Sequence, residues 1–535
     1  MHEWFFLPAI LEEYSKQIIS LIEEGKITNK RTLNEHKILL CKKLGIKDLP
    51  SNPDILFFAK TREQKILRIL GIKPTRTLSG VAVIAVMSPP EKCPGKCIYC
   101  PSSLLPNQKT PKSYTGREPA TMRAVKNNFS AKKQIFSRLK SLEETGHSTE
   151  KIELIIMGGT FPAMPFQKQK KFVLDCLNSI SGKKTSSLEK AKLFAEKSEK
   201  RVVGITFETR PDFCGKKEIK TLLDFGATRV ELGVQSVFDD VLKKINRGHS
   251  VQETITATQL LKDSAFKVTY HFMPGLPGSS SAGDLSAVKK IFSQQEFRPD
   301  SLKIYPCLVI EGTELFRIWK RGEFEPLSTE SAVKLVSKIK GIVPRWVRIM
   351  RVQRDIPHYL VKAGVQKTNL RQIVSEEMHR QGKKCSCIRC REAGLLSLRS
   401  EKKFDLENAK IFVDSYSASN GKDFFISLED KKRELLYGFT RLRFPSSPFL
   451  KEIDSETALI RELHVFGTAL PLDSHEDSGF QHRGIGKMLL QKAEEIAIEK
   501  FDAKKLTVIS GLGAKQYYFS LGFERNCFFV SKKLF

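Results

Sequence analysis

The chain has 535 residues, 40% hydrophobic and 28% charged, a composition that excludes a disordered protein and a length that exceeds one ordinary domain. No apolar run reaches the roughly 20 residues of a membrane span, and the N-terminal run WFFLPAIL follows Glu3 instead of a basic region, so we expect a cytoplasmic protein without a membrane anchor. The net charge of +30, spread along most of the chain, favours a nucleic-acid partner, although a generally basic proteome would produce the same charge.

The first three hundred residues divide into two patterns. Residues 1–75 show helical periodicity, which predicts a helical N-terminal region. Beyond residue 80, short apolar strands alternate with helical stretches. We expect strands over 81–87, 152–159, 202–209, 228–234, 266–273 and 301–306. Repeated β–α units predict a parallel sheet, here a partial (β/α)6 barrel over 76–340, with its chemistry at the C-terminal ends of the strands.

The remainder of the chain is predicted to hold a linker and a second domain. Residues 341–400 are irregular and basic, and they contain a group of cysteines. A different pattern begins near residue 405. We expect strands near 409–416, 423–428, 435–443 and 457–466, a helix over 485–500, a strand over 505–510, a helix over 513–521 and a last strand. This order predicts a separate α+β domain over 401–535.

Three cysteines directly follow the first predicted barrel strand. Cys93, Cys97 and Cys100 have the spacing C-x3-C-x2-C. Three thiolates can hold three irons of a 4Fe–4S cluster and leave the fourth iron open to chelate S-adenosylmethionine (SAM). A zinc ion would usually take four protein ligands, and Tyr99 suits a contact with the adenine of SAM. The spacing is typical of the radical SAM superfamily.

Polar or glycine residues end the next barrel strands. Gly158 and Gly159 end the second strand, Glu208 and Arg210 the third, and Gln235 the fourth. Each glycine by itself is compatible with an ordinary turn. Their repeated position at the same edge of the sheet indicates contacts with SAM, where the backbone can approach its amino end.

The last domain carries a glycine motif at the start of a helix. Gln481, Gly484 and Gly486 form Q-x-x-G-x-G, and amides at a helix N-terminus provide an anion site that suits a pyrophosphate. The preceding strand, 458–465, could pair with pantetheine amides. With Y-x-x-L-G-F at 518–523, this arrangement resembles the GNAT acetyltransferase family. In that family the tyrosine that matches Tyr518 protonates the departing CoA thiolate, and Tyr517 is its neighbour, although paired tyrosines are more often core residues.

The combination of both domains resembles the catalytic subunit family of elongator, which contains the tRNA uridine(34) acetyltransferases. The resemblance covers roughly residues 74–535. It is carried by YTGREPATMRA (114–124), MGGTFPAMP (157–165), FETRPDFC (207–214), ELGVQSVFDDVLKKINRGHS (231–250), KIYPCLVIEGTEL (303–315) and RVQRDIP (351–357). It implies that a deoxyadenosyl radical from SAM takes hydrogen from the methyl group of acetyl-CoA. The carbon radical then adds to C5 of the wobble uridine, and thioester hydrolysis leaves a carboxymethyl group.

The same resemblance implies further sites and partners. It assigns acetyl-CoA contacts to Lys151, Glu462, Leu463, His464, Val465, Ile485, Gly486, Lys487 and Tyr518. Lys151 lies at the wrong end of its strand for the SAM pocket, so a contact at the domain interface is possible. Glu462 and His464, on one strand face, are candidates to activate water. Residues 1–75 would help to bind tRNA, an external donor would reduce the cluster, and the short cysteine loop suits a bacterial or archaeal protein that acts without other elongator subunits.

A second cysteine group and a row of arginines lie in the linker. Cys385, Cys387 and Cys390 can supply three ligands of a structural zinc that pins the domain junction. His379 is a candidate fourth ligand, although a histidine on a basic helix is more often solvated. Arg345, Arg348, Arg351 and Arg354 recur every third residue. They form either a solvated face or a track for tRNA phosphates, beside which anticodon bases can stack.

Two other functions remain as alternatives. A protein lysine acetyltransferase with a purely structural Fe–S cluster would need no SAM, but the charge of +30 argues against an acetyltransferase for basic peptides. An RNA-binding scaffold without catalysis is disfavoured by the intact cysteines, the glycine motif and Tyr518. The favoured prediction is an α/β enzyme that joins a radical SAM barrel, a zinc linker and a GNAT domain.

Overall fold

The computed structural model describes residues 7–46, 49–50, 52–58, 64–70, 80–101, 109–397, 406, 408–466 and 484–535. Within these ranges, none of the helices combines the length and the hydropathy needed to cross a bilayer.

The N-terminal region is helical, as its periodicity predicts. Its described residues form the helices α1 (Leu7–Glu23), α2 (Lys30–Lys43), α3 (Asn52–Phe57) and α4 (Gln64–Leu70). Asn29 caps the N-terminus of α2. Its side chain accepts hydrogen bonds from the backbone amides of Arg31 and Thr32 and so satisfies two otherwise unpaired donors. Buried apolar side chains such as Tyr14, Ile18 and Ile55 give these helices their own core.

The next domain is a half-barrel of parallel strands. Its first six strands are β1 (Val81–Met87), β2 (Lys151–Met157), β3 (Arg201–Thr209), β4 (Arg229–Gln235), β5 (Lys267–Phe272) and β6 (Ser301–Ile304). The helices around them are α5 (Pro119–Lys126), α6 (Ala131–Glu144), α7 (Phe166–Ser181), α8 (Leu188–Glu196), α9 (Lys216–Asp224), α10 (Asp239–Lys244), α11 (Val251–Asp263), α12 (Ser281–Ser293), α13 (Glu314–Lys320) and α14 (Thr329–Gly341). All six predicted barrel strands are confirmed, and neighbours along the chain pair in parallel.

The linker predicted over 341–400 contributes a seventh strand to the same sheet. After the short strand β7 (Val309–Ile310), which pairs antiparallel with β9 (Val361–Ala363), strand β8 (Arg348–Val352) pairs in parallel with β6. Only Ile349 and Val352 of β8 are buried, and a register irregularity separates them. That irregularity breaks the alternation by which a strand is recognised in sequence, and in the part of the chain that the structure describes β8 adds a seventh strand to the six predicted. Three helices follow: α15 (Leu370–Arg380), α16 (Ile388–Arg391) and α17 (Ala393–Ser397).

The C-terminal domain is a second sheet with one long helix on it. Its elements are β10 (Lys410–Ala418), β11 (Gly421–Glu429), β12 (Leu436–Phe444), β13 (Thr457–Val465), α18 (Ile485–Phe501), β14 (Lys505–Val508), α19 (Lys515–Phe519), β15 (Glu524–Asn526) and β16 (Phe529–Lys533). The strand order is β10-β11-β12-β13-β14-β16-β15, with β13 and β14 parallel and the other pairs antiparallel. The elements predicted for this α+β domain are thus confirmed, and Leu489 and Ala493 of α18 are buried in its core.

The second domain lies against the N-terminal ends of the barrel strands. A Cβ added at Gly511 would come within 2.1 Å of the carbonyl oxygen of Val203 in β3, so only glycine allows this close approach. Nearby, the fully buried guanidinium of Arg461 binds both carboxylate oxygens of Asp300, at 2.8 and 2.5 Å. This ion pair is not evident from the sequence, because the partners are 161 residues apart and belong to no motif.

Candidate active site

The first cysteine group lies at the C-terminal end of β1, at the mouth of the barrel. The amide of Ile98 donates to the carbonyl oxygen of Ile245 at 3.1 Å, and the amide of Leu315 donates to the carbonyl oxygen of Ile98 at 2.9 Å. The loop is thus fixed to two other parts of the barrel. Cys93, Cys97 and Cys100 are half-buried, and within the described residues they do not form a set of three sulfurs that all lie within 4.8 Å of one another, as ligands of a single ion would. Three cysteines on one fixed loop suit the three protein ligands of a four-iron cluster.

Unpaired polar atoms surround this loop. Gln235 Oε1, Arg247 Nε and Ser88 Oγ are buried and have no hydrogen-bond partner in the described protein. Gln235 also has a φ of 68°, a left-handed conformation that costs a non-glycine residue free energy and is concentrated at functional sites. Buried orphan groups of this kind require a partner. The residues present therefore fit a bound cluster and SAM.

Two predicted SAM contacts occupy the same mouth. Gly158 lies against Ser88, since a Cβ at Gly158 would come within 2.1 Å of Ser88 Oγ. At the end of β3, the hydroxyl of Tyr114 donates to Glu208 Oε2 at 2.7 Å. The structure thus places the Gly158–Gly159 pair, Glu208 and Gln235 around one opening, as their positions in the strands predict.

The interior of the barrel is charged, and no motif in the sequence indicates this. Glu231, His271 and Lys303 project inward from β4, β5 and β6. His271 Nε2 and Glu231 Oε2 are 2.8 Å apart, Lys303 Nζ also donates to Glu231 Oε2, and it lies 4.0 Å from Glu208. Barrel interiors are usually filled by branched apolar side chains. The sequence signal was a polar residue at the inward position of each of these strands.

A cavity of about 1020 Å³ lies at the opposite end of the barrel, between its floor and the second domain. Its lining from the second domain includes Glu462, Leu463, His464, Val465, Gly484, Gly486, Lys487, Tyr517 and Tyr518, and its lining from the barrel includes Lys151, Glu153, Arg229, Lys267 and Arg348. Most residues predicted to contact acetyl-CoA therefore meet at one cavity, and Lys151 contributes from the floor of the barrel. Gln481 lies outside the described residues.

The cavity contains the two backbone features that a CoA site needs. Strand β13 pairs with β14 only over Thr457–Ile460, so the backbone of Arg461–Val465 extends past its neighbour and is open on that side. The α18 helix begins after Gly484, which has a φ of 76°, and the first amides of a helix have no intrahelical partner. The open strand edge can pair with the amide groups of a pantetheine chain, and the helix N-terminus beside it can bind a pyrophosphate.

The paired tyrosines differ in their surroundings. Tyr518 is 6% exposed and contacts Phe523, and burial raises the pKa of its hydroxyl well above the usual value. Tyr517 is 41% exposed, and its hydroxyl would meet a Cβ at Gly486 within 2.6 Å. Tyr518 therefore retains its proton at neutral pH, whereas the hydroxyl of Tyr517 lies beside the start of α18.

Glu462 and His464 both face the barrel floor. Burial alone would raise the pKa of Glu462, but Lys267, Arg441 and Arg229 lower it to about 2, and Arg441 Nε donates to its carboxylate at 2.9 Å. Burial lowers the pKa of His464 to about 4. Glu462 is thus a fixed carboxylate in an ion pair, and His464 is a neutral imidazole at neutral pH.

With His464 as the predicted base that activates water, the pH profile of thioester hydrolysis should show no inflection near 6.5, the ordinary pKa of histidine. Because His464 stays neutral until the pH falls to about 4, its contribution to kcat/KM should be constant across the neutral range. The unfolded chain takes up this proton more readily, so the free energy of unfolding should also decrease as the pH falls from 6.5 toward 4. An acid inflection near 6.5 that disappears in His464→Gln would contradict this assignment.

The second cysteine group also comes together. The sulfurs of Cys385, Cys387 and Cys390 lie within 4.8 Å of one another, as for ligands of one ion. His379 is not within that distance, and no other histidine or carboxylate of the described ranges joins the three thiols. The predicted fourth ligand is therefore not supported.

The four arginines of the linker do not share one surface. Arg345 Nη1 donates to the carbonyl oxygen of Arg433, and Arg348 Nη2 binds Glu392 at 2.9 Å beside the cavity. Arg351 pairs with Asp355, and Arg354 donates to the carbonyl oxygen of Ser113 next to the cysteine loop. The four arginines therefore extend from the floor of the barrel to its mouth and have different partners, and their contact with tRNA phosphates stays a prediction.

Comparisons with known proteins agree with this division of the chain. Residues 11–78 match the ELP3 N-terminal domain, 87–282 the radical SAM superfamily, 299–380 the radical SAM C-terminal domain and 395–523 the acetyltransferase (GNAT) family. The tRNA uridine(34) acetyltransferase of Methanocaldococcus jannaschii is 49% identical over 99% of this chain and 97% of its own length. That of Dehalococcoides mccartyi is 44% identical over 86% of this chain and 99% of its own length.

A eukaryotic relative and a solved structure extend this similarity. Elongator complex protein 3 of Schizosaccharomyces pombe is 39% identical over 98% of this chain and 97% of its own length. The structure of the archaeal Methanocaldococcus infernus Elp3 with an N-terminal deletion has a TM-score of 0.76 and 45% identity, covering 85% of this chain and all of that one.

Proposed function

Because this chain belongs to the family of the tRNA uridine(34) acetyltransferases and Elongator complex protein 3, we propose that it forms 5-carboxymethyluridine at wobble position 34 of tRNA from acetyl-CoA. One observation carries the proposal. A single half-barrel has a three-cysteine loop at its mouth and a CoA-type cavity at its floor. An ordinary acetyltransferase has no use for the first site, and an ordinary radical enzyme has no use for the second.

The protein's own residues position two sets of reactants. Cys93, Cys97 and Cys100 would hold the cluster, and Glu208 and Gln235 face the SAM side. When bound, cluster and SAM would supply a radical that removes a hydrogen atom from the methyl group of acetyl-CoA. At the other end of the barrel, the protonated Tyr518 can give its proton to the CoA sulfur when the thioester breaks.

The surroundings of β13 favour this reaction over transfer of an acetyl group to lysine. Glu462 and His464 are on the face of β13 that looks toward the barrel, and Lys151, Arg229 and Lys267 line the same cavity from the floor. Cationic side chains repel a lysine substrate, and the barrel covers the face at which a peptide would have to bind. An anionic substrate is better matched to this lining.

Analysis of tRNA nucleosides by mass spectrometry tests the proposed function. Purified enzyme with reduced cluster, SAM, acetyl-CoA and unmodified tRNA should yield 5-carboxymethyluridine at position 34. With acetyl-CoA labelled with ¹³C in both acetyl carbons, both labels should appear in the base. Acetylated lysine or an acetyl ester of the nucleoside as sole product would refute the proposal.

We propose that Cys385, Cys387 and Cys390 bind one zinc ion. Arg371 and Arg389 lie close enough to interact with these thiolates and would balance their negative charge. We expect about one zinc per chain by elemental analysis. Cys387→Ser should lose the metal and lower the Tm by several degrees, since a structural zinc contributes to folding. Cys527→Ser, which changes an exposed cysteine, is the control and should keep the zinc and the wild-type Tm. A zinc-free wild type with unchanged Tm after chelation would contradict the site.

We propose that tRNA reaches the mouth of the barrel and that Arg351, whose side chain is about half exposed there, contacts a phosphate. Arg351→Gln should reduce tRNA affinity and lower the slope of log K against log salt by about 0.7–0.9, the value for one phosphate contact. The matched change Arg348→Gln, at the floor, should leave the slope unchanged. Equal effects of both substitutions would instead indicate that the arginines form one continuous row of phosphate contacts.

The proposed reaction also requires partners outside the chain. An external one-electron donor has to reduce the cluster. The archaeal and bacterial relatives are named as tRNA uridine(34) acetyltransferases and not as proteins of a complex, which supports action without other Elongator subunits.

A further inference from the structure

Arg247 makes a direct contact with the cysteine loop. Its Nη1 donates to the sulfur of Cys97 at 3.4 Å, and its Nη2 donates to the carbonyl oxygen of Gly233 at 2.6 Å. The side chain is buried, with 7% of the residue exposed. Arg247 has no role in the proposed function.

The backbone fixes the position of this guanidinium. A Cβ on Gly233 would lie 2.6 Å from Arg247 Nη2, so the arginine reaches the loop only because residue 233 is glycine. The segment that carries Arg247 is itself joined to the loop, since Ile245 accepts a hydrogen bond from the amide of Ile98. The contact between Arg247 and Cys97 is therefore held at both ends.

Other charged groups nearby are neutralised or are directed at a different cysteine. Arg210 is paired with Asp212 at 2.7 Å. Burial and the adjacent arginines lower the pKa of His249 to about 2, so its ring is neutral. Arg354 interacts electrostatically with Cys100. Among the residues that the structure describes around this mouth, Arg247 is thus the charged donor to Cys97.

We propose that Arg247, by donating a charged hydrogen bond to Cys97, raises the reduction potential of the cluster and so determines which electron donors can reduce it. This inference rests on the cluster of the proposed function. One electron from a one-electron carrier enters the cluster, no bond breaks, and Arg247 keeps its proton. Reduction increases the negative charge on the thiolate ligands, and a positive charge with a hydrogen bond stabilises the reduced form more than the oxidised one.

An EPR-monitored redox titration without SAM tests the role of Arg247. In Arg247→Gln, the ratio of reduced to oxidised cluster at a fixed solution potential should fall on the order of tenfold, which is about 59 mV for a one-electron couple. Arg247→Lys keeps the charge but loses the planar fork, so its midpoint should fall less. Gly233→Ala, which displaces Nη2 and leaves the arginine in place, should shift the midpoint in the same direction as Arg247→Gln.

Arg298→Gln is the matched control. Arg298 is another partly buried arginine, but it donates to backbone carbonyl oxygens, including that of Ser417 in the second domain, and should not alter the potential. An Arg247→Gln protein with full iron content and the wild-type midpoint would overturn the inference. Loss of the cluster from both Arg247 variants, with the cluster retained in Arg298→Gln, would also overturn the inference. Arg247 would then have a purely structural role in positioning the cysteine loop. A wild type that binds no cluster would instead reject the proposed function.

Discussion

Cys100→Ser should abolish 5-carboxymethyluridine, with a loss of at least about 10³-fold, because no protein group can replace a radical-generating cluster that has lost one of its three ligands. The same variant should hydrolyse acetyl-CoA at close to the wild-type rate when tRNA is present. The cavity that would bind acetyl-CoA lies at the floor of the barrel, and none of the cysteines of the loop line it. Quantified nucleosides and thiol release, measured on the same preparation, give both rates.

The control for Cys100→Ser is Cys527→Ser. Cys527 is exposed in the second domain, far along the chain from the loop, and its substitution should change neither rate. Modified uridine at the wild-type level in Cys100→Ser would exclude a role for the cluster. Loss of hydrolysis together with modification would show that the two ends of the barrel do not act separately.

Tyr518→Phe should reduce acetyl-CoA hydrolysis by about 10²–10⁴-fold, the usual contribution of a general acid, and carboxymethyluridine should fall with it. The phenylalanine ring can keep the contact with Phe523, whose ring centre lies 5.6 Å from that of Tyr518, so the fold should be preserved. Cleavage of SAM should continue, since Tyr518 lines the floor cavity and not the mouth. Thiol release and 5′-deoxyadenosine, quantified in one reaction, distinguish these effects.

Tyr517→Phe is the matched change for this test. It removes the same hydroxyl group from the neighbouring residue, which is 41% exposed and lies beside Gly486. Its effect should be much smaller and should appear mainly in KM, because a hydroxyl next to the turn proposed to bind the pyrophosphate contributes to binding and not to protonation of sulfur. If Tyr517→Phe has the larger effect on kcat, the general acid has been assigned to the wrong tyrosine.

The residues of the two sites were predicted from sequence wherever the chemistry imposes a local pattern. The proposed cluster ligands Cys93, Cys97 and Cys100 are close together in the chain, and Gly484 and Gly486 stand at the start of a helix, where unpaired amides suit a phosphate. The six barrel strands showed as short apolar runs between helices, and their C-terminal ends located Glu208 and Gln235. These features depend on few consecutive residues, so their spacing alone identifies them.

The positions of the two sites at opposite ends of one barrel are determined only by the tertiary structure. The cavity joins Lys151 to His464, and the domains are held by Arg461 with Asp300 and by Gly511 against Val203. Strand β8 was not predicted from the sequence, because a register irregularity within RIMRV interrupts the alternation of buried and exposed residues. Its pairing with β6 is apparent only in the tertiary structure. Arg247 reaches Cys97 across 150 residues of chain. Such contacts depend on the path of the backbone and not on neighbouring residues, and a buried charge is stable there only because folding brings its partner from a distant segment.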